Sequence, residues 1–286
     1  MSKDTDYLFI STRLRSLENR MLTHERMERM LEARSNEDAA KVLTECGYEG
    51  LEPLTAQGLE QSLAQNRATT FSELASLSPN PKIVDVFRMK YDYHNAKALV
   101  KCGATGQDPG RLLIDAGRYP AAKLQDALRR GEYGELSQAL ARGVVQATDT
   151  LSATGDPQRS DFVLDRAYYA EMLTAARESG SAYLEGYIRL MIDAANLKSA
   201  VRTQRMHKDL EFLNAVIMDG GNVSRNSIAT AVTPGANLES VFTGQLQQAA
   251  MLLPFMLSLI LCKKAALLIH LQNAADGKLC HWDTVH

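Results

Sequence analysis

Apolar side chains recur at intervals of three and four residues along most of this chain, and this spacing limits what it can fold into. Ile10, Leu14, Leu17 and Met21 form the first such stripe, which lines one face of a helix. Comparable stripes follow as far as Gly220. No segment shows the sustained alternation of apolar and polar residues that a half-buried strand requires. The pattern therefore predicts an all-α fold.

Turn-forming residues divide this pattern into separate helices. Ser35 is predicted to cap a helix with acids in its first turn. Thr70 and Glu73 match a capping box, which would open a short helix that ends before Pro79. Longer helices are predicted for residues 82–101, for 119–150 with a break at Gly131, for 162–180 and for 181–206.

One short pattern occurs twice. Residues 92–97 and 193–198 both read D-x-x-N-x-K, and 101 residues separate Asp92 from Asp193. Both copies fall within long predicted helices, so we infer duplicated helical modules of about 100 residues, an ordinary domain size. An Asp and an Asn three residues apart share one helix face. The lysines of the pattern, Lys97 and Lys198, are predicted to reach solvent.

The charge balance excludes nucleic acid as a main partner. The chain has 32 Lys and Arg against 34 Asp and Glu, and aromatic residues make up 6%. The first six residues carry two acids and no apolar run, unlike a secretory signal. The four cysteines lack a C-x-x-C pair, as expected in the cytoplasm. No apolar run reaches the ~18–20 residues of a membrane span.

Motifs for catalysis and cofactors are also lacking. Neither G-x-x-x-x-G-K-[ST] nor G-x-G-x-x-G occurs, and the glycine-rich residues 103–110 follow a predicted helix, so we expect them to end it. His94 does not face its neighbour Asp92 on a helix. The Cys and His residues after position 260 do not have zinc-ligand spacing. We expect no catalytic residue, no cofactor, no metal site and no small-molecule substrate.

Three longer motifs follow one another in a fixed order. The first is Tyr7-Leu8-Phe9-Ile10 followed by Arg13, Arg15 and Leu17-Glu18. The second covers residues 90–99, and the third covers residues 187–198 and is followed by Arg202. In this order they resemble the family formed by the C and d subunits of V-type ATPases and ATP synthases, over about residues 5–250.

The resemblance implies a funnel of similar helical modules around a pseudo-threefold axis. One end would sit on the ring of membrane proteolipid subunits, and the other would form a socket for the D and F subunits of the axle. Such a protein is a non-catalytic part of the central stalk, cytoplasmic and peripheral on the membrane. It couples the axle to the ring during ATP-linked proton or sodium transport.

Six residues are candidates for structural or interface roles: Arg13, Arg15, Asp92, Asn95, Asp193 and Asn196. The two Asp–Asn pairs either bond helix ends and loop amides inside their modules or line the socket against the axle. The two arginines either form a solvated face or meet acidic groups of a neighbouring protein in the complex. Met21, Met27 and Met30 lie at helical spacing and are predicted to belong to the core.

We divide the chain into parts of three modules, at residues 1–81, 82–155 and 156–250, and an atypical apolar tail at 251–286. No acid occurs between Glu239 and Asp276. Because the family pattern has no such ending, we expect an incomplete or altered third module with a frameshifted or otherwise altered C-terminus. The alternative is a segment that contacts a membrane surface.

Two further functions stay open. The chain could be a free-standing helical-repeat scaffold that binds another soluble partner, or a helical enzyme whose site has no familiar motif. The genes beside this one would separate the first alternative from a rotor component, because the gene of a rotor component should lie among those of the other ATPase subunits.

Overall fold

The computed structural model describes residues 4–51, 54–233, 237–244 and 246, and every regular element among them is helical. This confirms the all-α prediction for the described residues. Short 3-10 helices cover Asp4–Tyr7 and Leu238–Ser240. The α-helices are α1 (Leu8–Glu18), α2 (His24–Leu31), α3 (Asn36–Glu45), α4 (Ala56–Leu77), α5 (Pro81–Thr105), α6 (Ala121–Arg130), α7 (Gln138–Thr154), α8 (Pro157–Glu178), α9 (Ala182–Arg205), α10 (Leu210–Val216) and α11 (Arg225–Ala231).

Polar and glycine caps set the helix boundaries. The Ser35 hydroxyl accepts a hydrogen bond from the backbone N–H of Asp38, as predicted, and Thr55 caps α4 in the same way. Gly106 and Gly131 end α5 and α6 in the left-handed conformation. The caps at Ser35, Thr55 and Gly131 bond backbone groups that a helix end leaves without partners, so the local sequence fixes where these helices begin or end.

The helix before Pro79 is longer than the sequence predicts. Since α4 begins at Ala56, Thr70 lies in the helix interior, where its hydroxyl donates to the carbonyl oxygen of Asn66 at 2.8 Å. The capping-box prediction was therefore wrong, because a threonine inside a helix can bond the preceding turn instead of capping a new one.

Helix lengths reveal how far the internal repeat extends. Helices α4 and α8 each contain 22 residues, and α5 and α9 contain 25 and 24. The separation of 101 residues between Asp92 and Asp193 also separates Ala56 from Pro157, at the starts of α4 and α8. The duplication thus covers two whole helices in each copy rather than one short motif.

The chain divides into two compact units, residues 1–188 and 189–286. In the first unit, α5 contacts α4, α6, α7 and α8, and α7 packs along α8. The fully buried residues of its main core cluster are Ala96, Leu124, Leu140, Val144, Ala147 and Leu164. Helix α5 is therefore the central helix of this unit.

The second unit has its own core. It brings together the C-terminal half of α9, helices α10 and α11 and the residues around the second 3-10 helix. Its most buried large side chains are Leu197, Leu213, Ile217, Ile228 and Phe242. The division into three modules stays a prediction, and the predicted tail at 251–286 lies outside the described residues.

The N-terminal helices bury little apolar surface. Ile10 is the one buried residue of α1, and α2 buries none. Met21 and Met27 are 63% and 42% exposed, so the prediction that they belong to the core was wrong. Helical spacing shows that side chains share a face, but another element must pack on that face to bury them. Among the described residues, no helix is long and apolar enough to cross a membrane.

Candidate functional site

The first D-x-x-N motif, on α5, holds the loop that leads into α6. The Asn95 side chain donates to the carbonyl oxygen of Ile114 and accepts from its N–H, both at 2.8 Å. Asp92 accepts from the backbone N–H of Tyr119 at 3.3 Å and from Nε of Arg118 at 2.6 Å. Asp92 and Asn95 are completely buried. We call these two side chains and the loop they hold the first latch.

The second motif, on α9, does the same for the loop that leads into α11. Asn196 exchanges two hydrogen bonds of 2.8 Å with the backbone of Met218. Asp193 accepts from the backbone N–H groups of Asn222 at 3.0 Å and Val223 at 3.1 Å. The Asn222 side chain adds a bond of 2.9 Å to the same carboxylate. This second latch repeats the backbone bonding of the first.

Each latch contains a glycine that the sequence analysis did not single out. A Cβ atom on Gly117 would collide with the carboxylate of Asp92, and one on Gly221 would collide with that of Asp193. The loops can approach the helices this closely only where the side chain is missing. The sequence contained a signal for these two glycines, because each ends a similar four-residue stretch. Gly117 ends I-D-A-G, and Gly221 ends M-D-G-G.

An arginine four residues before each Asp completes the pattern. Arg88 donates to the carbonyl oxygen of Gly117, and Arg189 donates to that of Gly220 at 3.3 Å. Both arginines lie one helical turn before the latch, so side chains on two successive turns of each helix bond its loop. The sequence contained this signal as well, since 101 residues separate Arg88 from Arg189.

The first latch also carries a buried ion-pair network. Nη1 of Arg118 lies 2.6 Å from Oε1 of Glu171 on α8, so this one cation joins Asp92 to Glu171. The Tyr93 hydroxyl donates to the other Glu171 oxygen at 2.7 Å. The position that Arg118 occupies, directly after the latch glycine, is taken by Asn222 in the second latch. The two latches therefore share backbone geometry and differ in charge.

Burial and pairing shift the pKa values in this network. Burial raises the pKa of the Asp92 carboxyl, because it outweighs the hydrogen bond and charge of Arg118. Burial acts the same way on Glu171, but there Arg118 and the Tyr93 hydroxyl together hold the pKa below its ordinary value. Burial and the nearby Glu171 carboxylate raise the pKa of Tyr93, which keeps its hydroxyl protonated as a donor.

The two candidate arginines on α1 have different surroundings. Nε of Arg13 lies 2.6 Å from Oε1 of Glu73, which ties α1 to α4. Arg15 is 81% exposed along its side chain and pairs with Glu18, three residues away on the same helix. Arg13 thus takes part in packing within the chain, whereas Arg15 projects from it.

Lys97, the lysine of the first D-x-x-N-x-K motif, was predicted to reach solvent, but it pairs with an acid on another helix. Nζ of Lys97 lies 2.6 Å from Oδ1 of Asp165 on α8, and its side chain is 23% exposed. Lys198, the equivalent residue on α9, is exposed. The prediction failed for Lys97 because α8 supplies an acid that lies far away in the sequence.

The described residues define an all-helical fold built on an internal repeat, in which two polar motifs hold loops against helices. The sequence profile of the family described as ATP synthase (C/AC39) subunit matches residues 10–244. This match covers most of the chain and includes both latches. The chain belongs to the ATP synthase (C/AC39) subunit family.

Relatives of this chain come from bacteria and archaea. It is 25% identical over 231 residues to the C subunit of the V-type sodium ATPase of Enterococcus hirae, covering 79% of this chain and 70% of that protein. It is 21% identical over 239 residues to the C subunit of the A-type ATP synthase of Thermococcus onnurineus, covering 79% and 64%. The C subunit of the V-type ATP synthase of Thermus thermophilus is 24% identical over 208 residues, covering 70% and 64%. The matched part of the chain spans about two thirds of the length of these relatives.

Proposed function

We propose that this chain is the C subunit of a V-type ATPase or ATP synthase. In this role it is a non-catalytic part of the central stalk, on the cytoplasmic face of the membrane. It couples the D–F rotor axle to the membrane proteolipid ring during ATP-linked proton or sodium transport. The observation that carries the proposal is the family match over residues 10–244, and relatives of this chain named as the C subunits of such complexes support it.

The latches support a mechanical role. A part that transmits torque must keep its helices in fixed positions under load. In each latch, buried Asp and Asn side chains bond the backbone of the loop that precedes the next helix. Opening such a latch would leave buried donors and acceptors without partners, which is costly. The proposed pseudo-threefold funnel would repeat this rigid connection around its axis.

The surroundings of the polar residues suggest which of them could contact the axle or the ring. Asp92 and Asp193 are 0% and 2% exposed, so we propose that they act by holding loops and do not touch a partner. Arg13 is tied to Glu73 within the chain. Arg15 is the candidate for a contact with an acidic group of a neighbouring protein, because its pairing with an exposed residue on its own helix is easily exchanged.

Co-purification with a D–F axle complex tests the proposal. The chain should co-elute with D–F on size exclusion at micromolar concentration, with a full-length relative as positive control. Arg15→Glu should weaken the complex, whereas Arg34→Glu, which reverses another exposed arginine, should not. Failure to co-elute while the relative does so would contradict the proposal. Equal effects of the two variants would support the alternative that Arg15 lies on a solvated face and does not contact the partner.

Calorimetry gives an independent test of the non-catalytic role. With no phosphate-binding motif in the sequence, the purified chain should neither hydrolyse ATP nor bind it at micromolar concentration. Saturable binding of ATP would favour the alternative of an unfamiliar helical enzyme over a torque-carrying component.

A further inference from the structure

A cleft opens in the first unit where three helices end. The last two turns of α5, α6 and α7 line it, and its volume is about 570 Å³. Ligand pockets in proteins commonly have about 300–1,000 Å³ and a mostly apolar lining with a few polar groups. The apolar side chains here come from Leu99, Val100, Leu128, Tyr133 and Leu151. This α5–α6–α7 cleft therefore has the size and lining of a small-molecule site.

Gly103, in the last turn of α5, leaves part of the cleft open. Its backbone is helical, and a Cβ atom on it would meet nothing within 4 Å. Glycine inside a helix is less stable than a larger residue, so the backbone does not require it here. Its counterpart by the separation of 101 residues is Gln204, whose Nε2 donates to the carbonyl oxygen of Ala231 on α11 at 3.5 Å. The second copy thus has a side chain at the position where the first copy has none.

The charges around the cleft limit which molecules fit it. The carbonyl oxygens of Gly103 and Ala104 accept no hydrogen bond from another described residue. Such helix ends carry partial negative charge, which disfavours an anion. Among the described residues that line the cleft, Arg129 has the one charged side chain, and it disfavours a cation. Nη2 of Arg129 already lies 2.6 Å from Oδ1 of Asp126, so it needs no anionic ligand as a partner.

We propose that the α5–α6–α7 cleft binds a small uncharged molecule that has an apolar body and a hydrogen-bond donor. The apolar body lies against Leu99, Val100 and Leu128, and the donor bonds the carbonyl oxygen of Gly103 or Ala104. An uncharged ligand avoids both the helix ends' repulsion of anions and the repulsion of cations by Arg129. The inference depends on residues 99–152 alone, involves no reaction and is independent of the proposed rotor function.

Dansylamide is the probe, because its naphthalene ring is apolar and its uncharged sulfonamide donates hydrogen bonds. Its fluorescence should rise and shift to the blue in a saturable titration with the full chain. Gly103→Gln introduces the residue of the second copy and should weaken binding by about tenfold or more, because the new side chain occupies the cleft. The matched control, Gly186→Gln, changes another exposed helical glycine whose Cβ would meet no atom within 4 Å, and it should leave binding unchanged.

A second variant fills the cleft from another helix. Ser152 on α7 lines the cleft and is exposed, so Ser152→Phe should also weaken binding by about tenfold or more. Ala153→Phe, at the exposed neighbouring position that does not line the cleft, is its control. Circular dichroism checks that each variant folds, and the two filling variants test the same space independently.

Two charged analogues test the preference for an uncharged ligand. Dansylglycine carries a carboxylate and dansylcadaverine an ammonium group on the same fluorophore. Each should bind more weakly than dansylamide, by about fivefold or more. Arg129→Gln should narrow the gap for the cation, because it removes the like charge from the cleft.

Three outcomes would overturn the proposal. One is the absence of saturable dansylamide binding. Another is equal binding by the filling variants and their controls, which would place the probe elsewhere on the chain. The third is tighter binding of either charged analogue, which would contradict the assignment of an uncharged ligand.

Discussion

Gly117 lies so close to the carboxylate of Asp92 that a side chain at that position would occupy the space of the carboxylate oxygen. Gly221 has the same relation to Asp193 in the other copy. The polar residues of each latch therefore depend on the glycine to bond the loop. The carboxylate can reach the loop amides only because the loop backbone passes directly over it.

Alanine at either latch glycine should destabilise the protein. We expect Gly117→Ala and Gly221→Ala each to lower the free energy of unfolding by about 1–3 kcal/mol, because the added methyl group must displace the loop or the carboxylate. Gly134→Ala is the control, since a Cβ there meets no atom within 4 Å. Urea unfolding measures the difference, and equal effects at all three positions would contradict the close approach.

Removal of the latch carboxylates should cost different amounts in the two copies. Asp193→Ala leaves loop amides without an acceptor, which costs about 1–3 kcal/mol. Asp92→Ala also removes a partner from the buried Arg118, so we expect a larger loss, about 3–5 kcal/mol. Asp149→Ala, at an exposed acid on α7, should change stability by less than about 0.5 kcal/mol. Equal losses at Asp92 and Asp193 would show that the charge network adds nothing.

Arg118→Asn places in the first latch the residue that the second latch uses. We expect it to destabilise the first unit, because Asp92 and Glu171 would then face each other without a cation between them. Adding Glu171→Gln should recover part of the loss, since it removes one of the two charges. Unfolding free energies of the two single variants and the double variant form a cycle. Strictly additive effects would contradict a coupled network.

Some of this architecture was predictable from the sequence. The repeated D-x-x-N-x-K motif located both latches and correctly indicated duplicated helices. The loop partners were not predictable, because Asn95 bonds the backbone of Ile114, 19 residues away, and a backbone group leaves no trace in the sequence. The motifs that end at Gly117 and Gly221 were visible in the sequence. Their role could not be inferred from it, because only the structure shows that the loop crosses the helix at these glycines.

Other errors came from tertiary contacts. Lys97 finds its acid 68 residues away on α8, so nothing near it in the sequence signals the pair. Thr70 lies inside a helix that begins at Ala56, 14 residues earlier, and is capped by Thr55. Local sequence rules identified residue types that can cap a helix or form an ion pair. Tertiary packing determined which of these residues form a cap or a pair in the structure.

The Glu171 pairing should make stability depend on pH. Burial alone would raise the pKa of Glu171, but Arg118 and the Tyr93 hydroxyl hold it below the ordinary value of 4.5. The unfolded chain therefore takes up this proton at a higher pH than the folded protein does. The stability from the pairing is fully present above the ordinary value and is lost as the pH falls through the lower pKa of the folded state.

Urea unfolding in a pH series that starts above 4.5 and continues downward measures this loss. We expect the free energy of unfolding to fall across the series and Glu171→Gln to make the fall shallower. Asp92 acts in the opposite sense, because burial raises its pKa and the folded state then holds that proton more tightly. Glu178→Gln, at an exposed residue on the same helix, should leave the slope unchanged. A slope unaffected by Glu171→Gln would mean that the network does not control the acid response.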